Sequence, residues 1–118
     1  MERVNKQALI SFFMHLCNDM NKAICLSKED LKAVKKWGSE HWTEPCKVVP
    51  YGTVGAWRLD YAGCYGGWQI QEIDTPSGGI SCPLGYRRYK TPQMLDMICF
   101  AREAIRLRHI QQKEAKSA

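Results

Sequence analysis

The sequence predicts one α+β domain: two N-terminal helices, a three-stranded antiparallel meander and a long C-terminal helix packed on the sheet. Apolar residues recur every three or four positions in residues 5–23 and again after residue 91, which is typical of helices with one buried side. Between these segments, two stretches alternate apolar and polar residues and are separated by glycine-rich turns, as strands of a meander are. The 118 residues, 45% of them hydrophobic, suit a single core, so residues 1–118 are expected to form one domain.

The first two helices are predicted from their periodicity and their ends. The buried stripe of the first helix would consist of Leu9, Phe12, Phe13, Leu16, Cys17 and Met20. Ser27 is a typical N-cap for the second helix, because its hydroxyl can accept from a free backbone N–H, and Gly38 is a natural stop. The inward face of this second helix is expected to be formed by Leu31, Val34 and Trp37.

The meander is predicted from alternation and turn residues. Residues 39–53 contain prolines and a glycine without a period, so they predict a loop with a short extended piece at residues 47–49. Residues 54–61 and 68–74 alternate as strands do, and the glycine-rich residues 62–67 reverse the chain between them. Residues 75–79 predict a second turn, and residues 80–83 a short third strand that ends at Pro83.

The last helix is predicted to open with Thr91 as N-cap and Pro92 in its first turn, where the missing N–H of proline is not needed. An apolar stripe continues to about Leu107. Residues 111–118 are polar and are expected to fray.

Charge is unevenly distributed along the chain. The net charge is +5, and basic and acidic residues balance in residues 1–85, so the whole excess falls in residues 86–118. A concentrated basic segment attracts polyanions or acidic protein surfaces. The alternative interpretation is a helix face whose charges only contact water.

The six cysteines are expected to be reduced. Polar residues interrupt the N-terminal segment, which is unlike a secretory signal, and no apolar run approaches the ~20 residues of a membrane span. The sequence therefore predicts a cytoplasmic protein without a membrane segment. No Cys-x-x-Cys pair occurs among the six cysteines, so no metal is expected.

The sequence contains only weak evidence for catalytic residues. His15, His41 and His109 lack a local serine, cysteine or carboxylate partner that would mark a general base. The glycines at residues 66–67 enter a strand and not a helix, so they do not form a phosphate-binding loop. We expect a non-enzymatic protein without a cofactor.

Aromatic and basic side chains around the meander are the better functional signal. The residues expected to bind a partner are Arg58, Tyr65, Trp68, Tyr86, Arg87, Arg88, Tyr89 and Lys90. Tyrosine, tryptophan and arginine dominate protein interfaces, and aromatic rings can also stack on bases. The alternative is that Trp57, Tyr61 and Trp68 form cross-strand pairs within the core. The basic residues 86–90 could hold phosphate, although no nucleic-acid-binding motif accompanies them.

A sequence pattern in the second half of the chain resembles one found in other proteins. It consists of the run WRLDYAGCYGGWQI at residues 57–70, the glycine turn at residues 77–79, a basic stretch and a helix from Thr91. Over residues 57–105 it resembles a pattern in small uncharacterised phage and prophage accessory proteins. The resemblance implies a protein of the bacterial host cytoplasm that binds a host or phage protein, including as an antagonist of an antiviral defence system. Nucleic-acid binding is the alternative function, and a symmetric homodimer is compatible with an exposed sheet edge.

Overall fold

A computed structural model describes residues 5–40 and 42–117, with side chains as far as residue 114, and it confirms the α+β class. Within these residues three helices accompany a five-stranded sheet. The elements are α1 (Lys6–Asp19), β1 (Ile24–Cys25), α2 (Lys28–Gly38), β2 (Val48–Val49), β3 (Trp57–Ala62), β4 (Gly67–Ile73), β5 (Ile80–Ser81) and α3 (Thr91–Ser117). His41 lies outside the described residues.

Helix α1 is shorter than its periodicity predicts. Its N-cap is Asn5, whose side chain accepts from the Ala8 N–H at 2.7 Å. The helix ends at Asp19, because Asn21 adopts a left-handed conformation with φ 58°, which asparagine tolerates better than most residues. The chain then turns into β1, which directly follows the predicted helical segment 5–23 and was not predicted as a strand.

Helix α2 begins and ends as predicted, but one residue that was predicted to face inward is exposed. The Ser27 hydroxyl accepts from the Asp30 N–H at 3.1 Å, and the helix runs to Gly38. Trp37, expected inside, is 45% exposed. Trp42 packs against the core instead, and a Cβ at Gly38 would overlap its side chain, so the glycine makes room for that ring.

The sheet is mixed and five-stranded, which corrects the predicted three-stranded antiparallel meander. Its strand order is β2-β1-β3-β4-β5. Strands β3, β4 and β5 are antiparallel as predicted, whereas β1 runs parallel to both β2 and β3. Strands β1 and β2 have 2 residues each, too few for an alternating pattern to be recognised.

The register of β3 and β4 gives the sheet two different faces. Trp57, Leu59 and Tyr61 of β3 lie opposite Glu72, Ile70 and Trp68 of β4 on the face toward the helices. Residues from α1, α2, α3 and this face form one hydrophobic core. Arg58, Asp60, Gln69 and Gln71 lie on the other face, called here the outer face.

Helix α3 packs against α1 and β4 and is 27 residues long. It begins one residue earlier than predicted: Thr91 is the first helical residue, and the Lys90 carbonyl accepts from the Met94 N–H at 2.8 Å. The tail predicted to fray, residues 111–118, is helical as far as Ser117. Over the described part of the chain, no helix has both the length and the apolar character that crossing a membrane requires.

Candidate functional site

Both tryptophans of the hairpin are buried. Trp68 is 7% exposed, and its indole N–H donates to the Thr91 hydroxyl at 2.9 Å. Trp57 is enclosed in the core and donates its indole N–H to the Glu72 carboxylate at 2.8 Å. Trp68 was expected on a binding surface, and this placement corrects that expectation, because the ring lies where the hairpin meets the start of α3.

Arg88 is largely enclosed and is bonded within the fold. Its side chain is 16% exposed, and its guanidinium donates to the Asp60 carboxylate at 2.8 Å. The same guanidinium donates to the carbonyl oxygens of Gly67 at 3.1 Å and Asp60 at 3.3 Å. A guanidinium with this many internal acceptors has few donors left for a partner, which corrects the expectation that Arg88 binds one.

A polar network anchors residues 86–90 onto the outer face of the sheet. The Gln71 amide donates to the Gln69 side-chain oxygen at 2.8 Å, and the Gln69 amide donates to the Tyr86 carbonyl at 2.6 Å. Both glutamines are buried. Every buried side-chain nitrogen and oxygen among the described residues has a hydrogen-bond partner. The segment is therefore attached to the sheet through Gln69 and Arg88.

Three tyrosines remain exposed at one end of the hairpin. Tyr61 near the end of β3 is 62% exposed, Tyr65 in the hairpin turn is 77% exposed and Tyr86 is 81% exposed. Tyr61 leans against the buried Trp68, with ring centroids 4.9 Å apart. We call Tyr61, Tyr65, Tyr86, Arg87 and Lys90 the hairpin-end surface.

Glycine geometry shapes this end of the hairpin. Gly67 has φ 120°, and a Cβ there would overlap the carbonyl oxygen of Tyr89. The lack of a side chain allows residue 89 to pair with β4, where the Trp68 N–H donates to the Tyr89 carbonyl at 2.7 Å. The basic segment consequently runs beside the first residues of β4.

The basic residues of the hairpin-end surface differ in their surroundings. The Arg87 guanidinium lies 5.4 Å from the centroid of the Tyr89 ring, a cation–π contact, and the Arg87 side chain is exposed. Tyr89 itself is half-buried and packs against the core. Its ring therefore supports the Arg87 guanidinium and is only partly exposed to solvent. Lys90 is exposed, while its backbone N–H donates to the Gln93 side chain at 3.2 Å.

A cleft of about 380 Å³ adjoins the hairpin-end surface through Tyr61. Arg58, predicted as a binding residue, lies at its rim, with its guanidinium 5.3 Å from the centroid of the Tyr51 ring and 2.9 Å from the Asp60 carboxylate. Across the cleft, the Lys6 ammonium lies 3.0 Å from Asp30. Sequence reasoning missed Tyr51 and Lys6, because isolated residues in a loop and at a helix start carry no pattern.

The fold changes the pKa of His15 and separates the side chains that could bind a metal ion. Burial, reinforced by the nearby Arg102 charge, lowers the pKa of His15 below its usual range, so this imidazole is neutral near pH 7. In residues 5–40 and 42–114, no three His, Cys, Asp or Glu side chains are grouped so that they could hold a metal ion.

Much of the basic excess of α3 is already paired. Arg102 donates to Asp19 of α1 at 2.7 Å, and Arg106 pairs with Glu103 on the same helix. These ion pairs reduce the positive charge that α3 can present to a polyanion. Arg87 and Lys90 of the hairpin-end surface, by contrast, are exposed.

No protein-family model, curated protein or solved structure matches the chain. Its function is therefore inferred from the surface itself.

Proposed function

We propose that the protein is a non-enzymatic binding protein that recognises a partner protein through the hairpin-end surface. The observation that carries this proposal is the exposure of Tyr61, Tyr65 and Tyr86 beside Arg87 and Lys90. Tyrosine supplies a large contact area with few rotatable bonds, and interface energy concentrates in tyrosine, tryptophan and arginine. Exposed rings clustered at one end of a small domain suit an interface.

The surface is rigid before a partner arrives. The network through Gln69 and Arg88 fixes the backbone of residues 86–90, and Trp68 supports the Tyr61 ring from below. Ordering mobile side chains on binding would cost about 0.5–1.5 kcal/mol for each one. A surface that is held in advance avoids much of that loss and favours a long-lived complex.

The resemblance to phage and prophage accessory proteins makes a bacterial host protein in the cytoplasm the first class of partner to test. A compact protein of this kind can inhibit a defence factor by occupying the surface that the factor needs. We therefore propose antagonism of an antiviral defence system as the outcome of binding.

Nucleic acid is the less favoured ligand. Arg88, Arg102 and Arg106 form internal ion pairs, so most of the arginines that suggested a polyanion partner are engaged within the fold. If nucleic acid were nevertheless the ligand, its affinity would fall steeply between ~50 and ~200 mM salt.

The test is affinity purification from nuclease-treated bacterial lysate with three forms of the chain. These are the wild type, the double variant Tyr65→Ala/Tyr86→Ala and the control Phe100→Ala. Phe100 is a suitable control because it lies on α3 with the same 77% exposure as Tyr65. We expect one protein to be retained by the wild type and the control and lost by the double variant.

Two outcomes would contradict the proposal. Equal retention by all three forms would show that the hairpin-end surface is not the interface. Capture that disappears with nuclease treatment, together with salt-sensitive binding of labelled DNA or RNA, would establish the nucleic-acid function instead.

A further inference from the structure

Strand β3 has an edge that is only partly paired. Strand β1 pairs with it at a single position, Ile24↔Trp57, and then the chain leaves the sheet because Ser27 caps α2. Strand β3 continues to Ala62. We call the edge of β3 at residues 59–62, beyond the end of β1, the β3 slot.

The peptide groups in this slot can be assigned from alternation along the strand. The Trp57 N–H donates to the Ala23 carbonyl at 2.9 Å, which places it on the β1 side. Because successive peptide groups point to opposite edges, the N–H and C=O of Tyr61 point to that same side, whereas those of Asp60 point to β4. Beyond Trp57, no strand pairs with β3 on this side among the described residues, so the Tyr61 N–H and C=O face no partner strand.

The cleft described above is built around this edge. Arg58 from the outer face and Leu59 and Tyr61 from the helix face all line it, and residues of both faces can share one cleft only at a strand edge. An added strand of four residues would be about 13 Å long at about 3.3 Å per residue. That length matches residues 59–62 of β3.

The charges around the slot favour an acidic occupant. Asp60 is the one carboxylate bonded to both Arg58, at 2.9 Å, and Arg88, at 2.8 Å. Two guanidinium groups therefore share one negative charge. At the opposite wall, Lys6 and Asp30 neutralise each other. The rim near Arg58 keeps an excess positive charge, which the Tyr51 ring holds in place.

We propose that an extended, acid-bearing segment of the partner protein adds to β3 as a strand in this slot. Main-chain bonds to Tyr61 would give affinity, as in other cases of strand addition to a sheet edge. Alternate side chains would meet the apolar wall formed by Leu26, Leu59 and Trp68, and an aspartate or glutamate on the other side would meet Arg58. This inference rests on the proposed function and specifies how the partner is held.

The test selects binders from a displayed library of random nonapeptides on the immobilised full-length chain. Selected peptides are expected to alternate apolar residues and to carry aspartate or glutamate. Their affinities are then measured by fluorescence anisotropy for Tyr61→Pro, which removes the N–H in the slot, and for Tyr61→Ala, which removes only the ring. We expect the proline variant to bind at least tenfold more weakly than the alanine variant, about 1.4 kcal/mol.

Two further measurements keep the test decisive if the proline variant does not fold. Replacing Arg58→Gln should weaken peptide binding and reduce its salt dependence, because Arg58 supplies the excess charge. In the wild type, the selected peptide should slow hydrogen exchange at the Tyr61 amide and leave that of Gln69, which pairs with β3, unchanged.

Strand addition is wrong if selected peptides bind the proline and alanine variants equally well, or if the Tyr61 amide gains no protection. It is also wrong if light scattering shows that a second copy of the chain fills the slot. The proposed function is tested separately: if no peptide is selected while capture of a lysate protein still requires Tyr65 and Tyr86, strand addition fails and the proposed function stands, and if capture does not require those tyrosines the proposed function fails.

Discussion

Two adjacent arginines should respond very differently to replacement by alanine. Arg88→Ala removes charge-assisted hydrogen bonds to Asp60 and leaves the Gly67 carbonyl without one of its donors. A hydrogen bond to a charged group contributes about 1.5–3 kcal/mol, and an unsatisfied buried acceptor costs about 1–3 kcal/mol. Because Arg58 still neutralises Asp60, we expect a loss of roughly 2–4 kcal/mol in the free energy of unfolding. Arg87→Ala, at an exposed side chain, should change it by less than about 0.5 kcal/mol.

Urea unfolding followed by tryptophan fluorescence measures both variants, since Trp57 and Trp68 lie in the core. The midpoint of Arg88→Ala should fall while the slope stays constant, which indicates a change in stability and not in the unfolded chain. Equal effects of the two substitutions would refute the reasoning. So would an Arg88→Ala variant as stable as the wild type that had lost its partner, because Arg88 would then be a binding residue.

Three other predictions concern a turn, a thiol pair and a carboxylate. Gly67→Ala should lower the melting temperature far more than Gly55→Ala, because both sites have positive φ but only a Cβ at Gly67 would overlap a backbone carbonyl. Interaction between the neighbouring thiols lowers the pKa of Cys46 and, together with burial, raises that of Cys17. Mass spectrometry should therefore find Cys46 alkylated by iodoacetamide and Cys17 protected, and Cys17→Ala should move alkylation of Cys46 to higher pH. Hydrogen bonds from a tryptophan indole N–H and from a lysine lower the pKa of Glu72, so the ionised Glu72 carboxylate stabilises the fold above its unfolded pKa, and this contribution is lost as pH falls through the folded pKa. The stability difference between wild type and Glu72→Gln should therefore shrink when pH is lowered from about 7 to about 3. A constant difference would contradict this.

Local patterns predicted the elements that are long enough to show a period. Helix α1, helix α2 with its Ser27 cap, and the hairpin of β3 and β4 follow from residues close together in the sequence. Strand β1 was not predicted, and β2 was predicted only as a short extended piece at residues 47–49, because a two-residue strand is defined by its partners and not by its own pattern. The turn at Asn21, which divides α1 from β1, also has no signal stronger than a single asparagine.

The candidate site was predictable only in composition. Tyr65, Tyr86, Arg87 and Lys90 are exposed, as a turn and a basic loop suggest. Arg88 looks the same in the sequence as Arg87, and what separates them is the carboxylate of Asp60, 28 positions earlier in the chain. A contact over that separation leaves no trace in composition or spacing.

The junction between the hairpin and α3 also has a consequence for the order in which the chain folds. Trp68 pairs with Tyr89 through the backbone and holds Thr91 through its indole, so the first turn of α3 has no docking place until the hairpin has closed. Hairpins form within about 1–10 μs, faster than most non-local contacts. Substitutions at the β3–β4 turn should therefore slow refolding, whereas substitutions in the first turn of α3 should mainly accelerate unfolding.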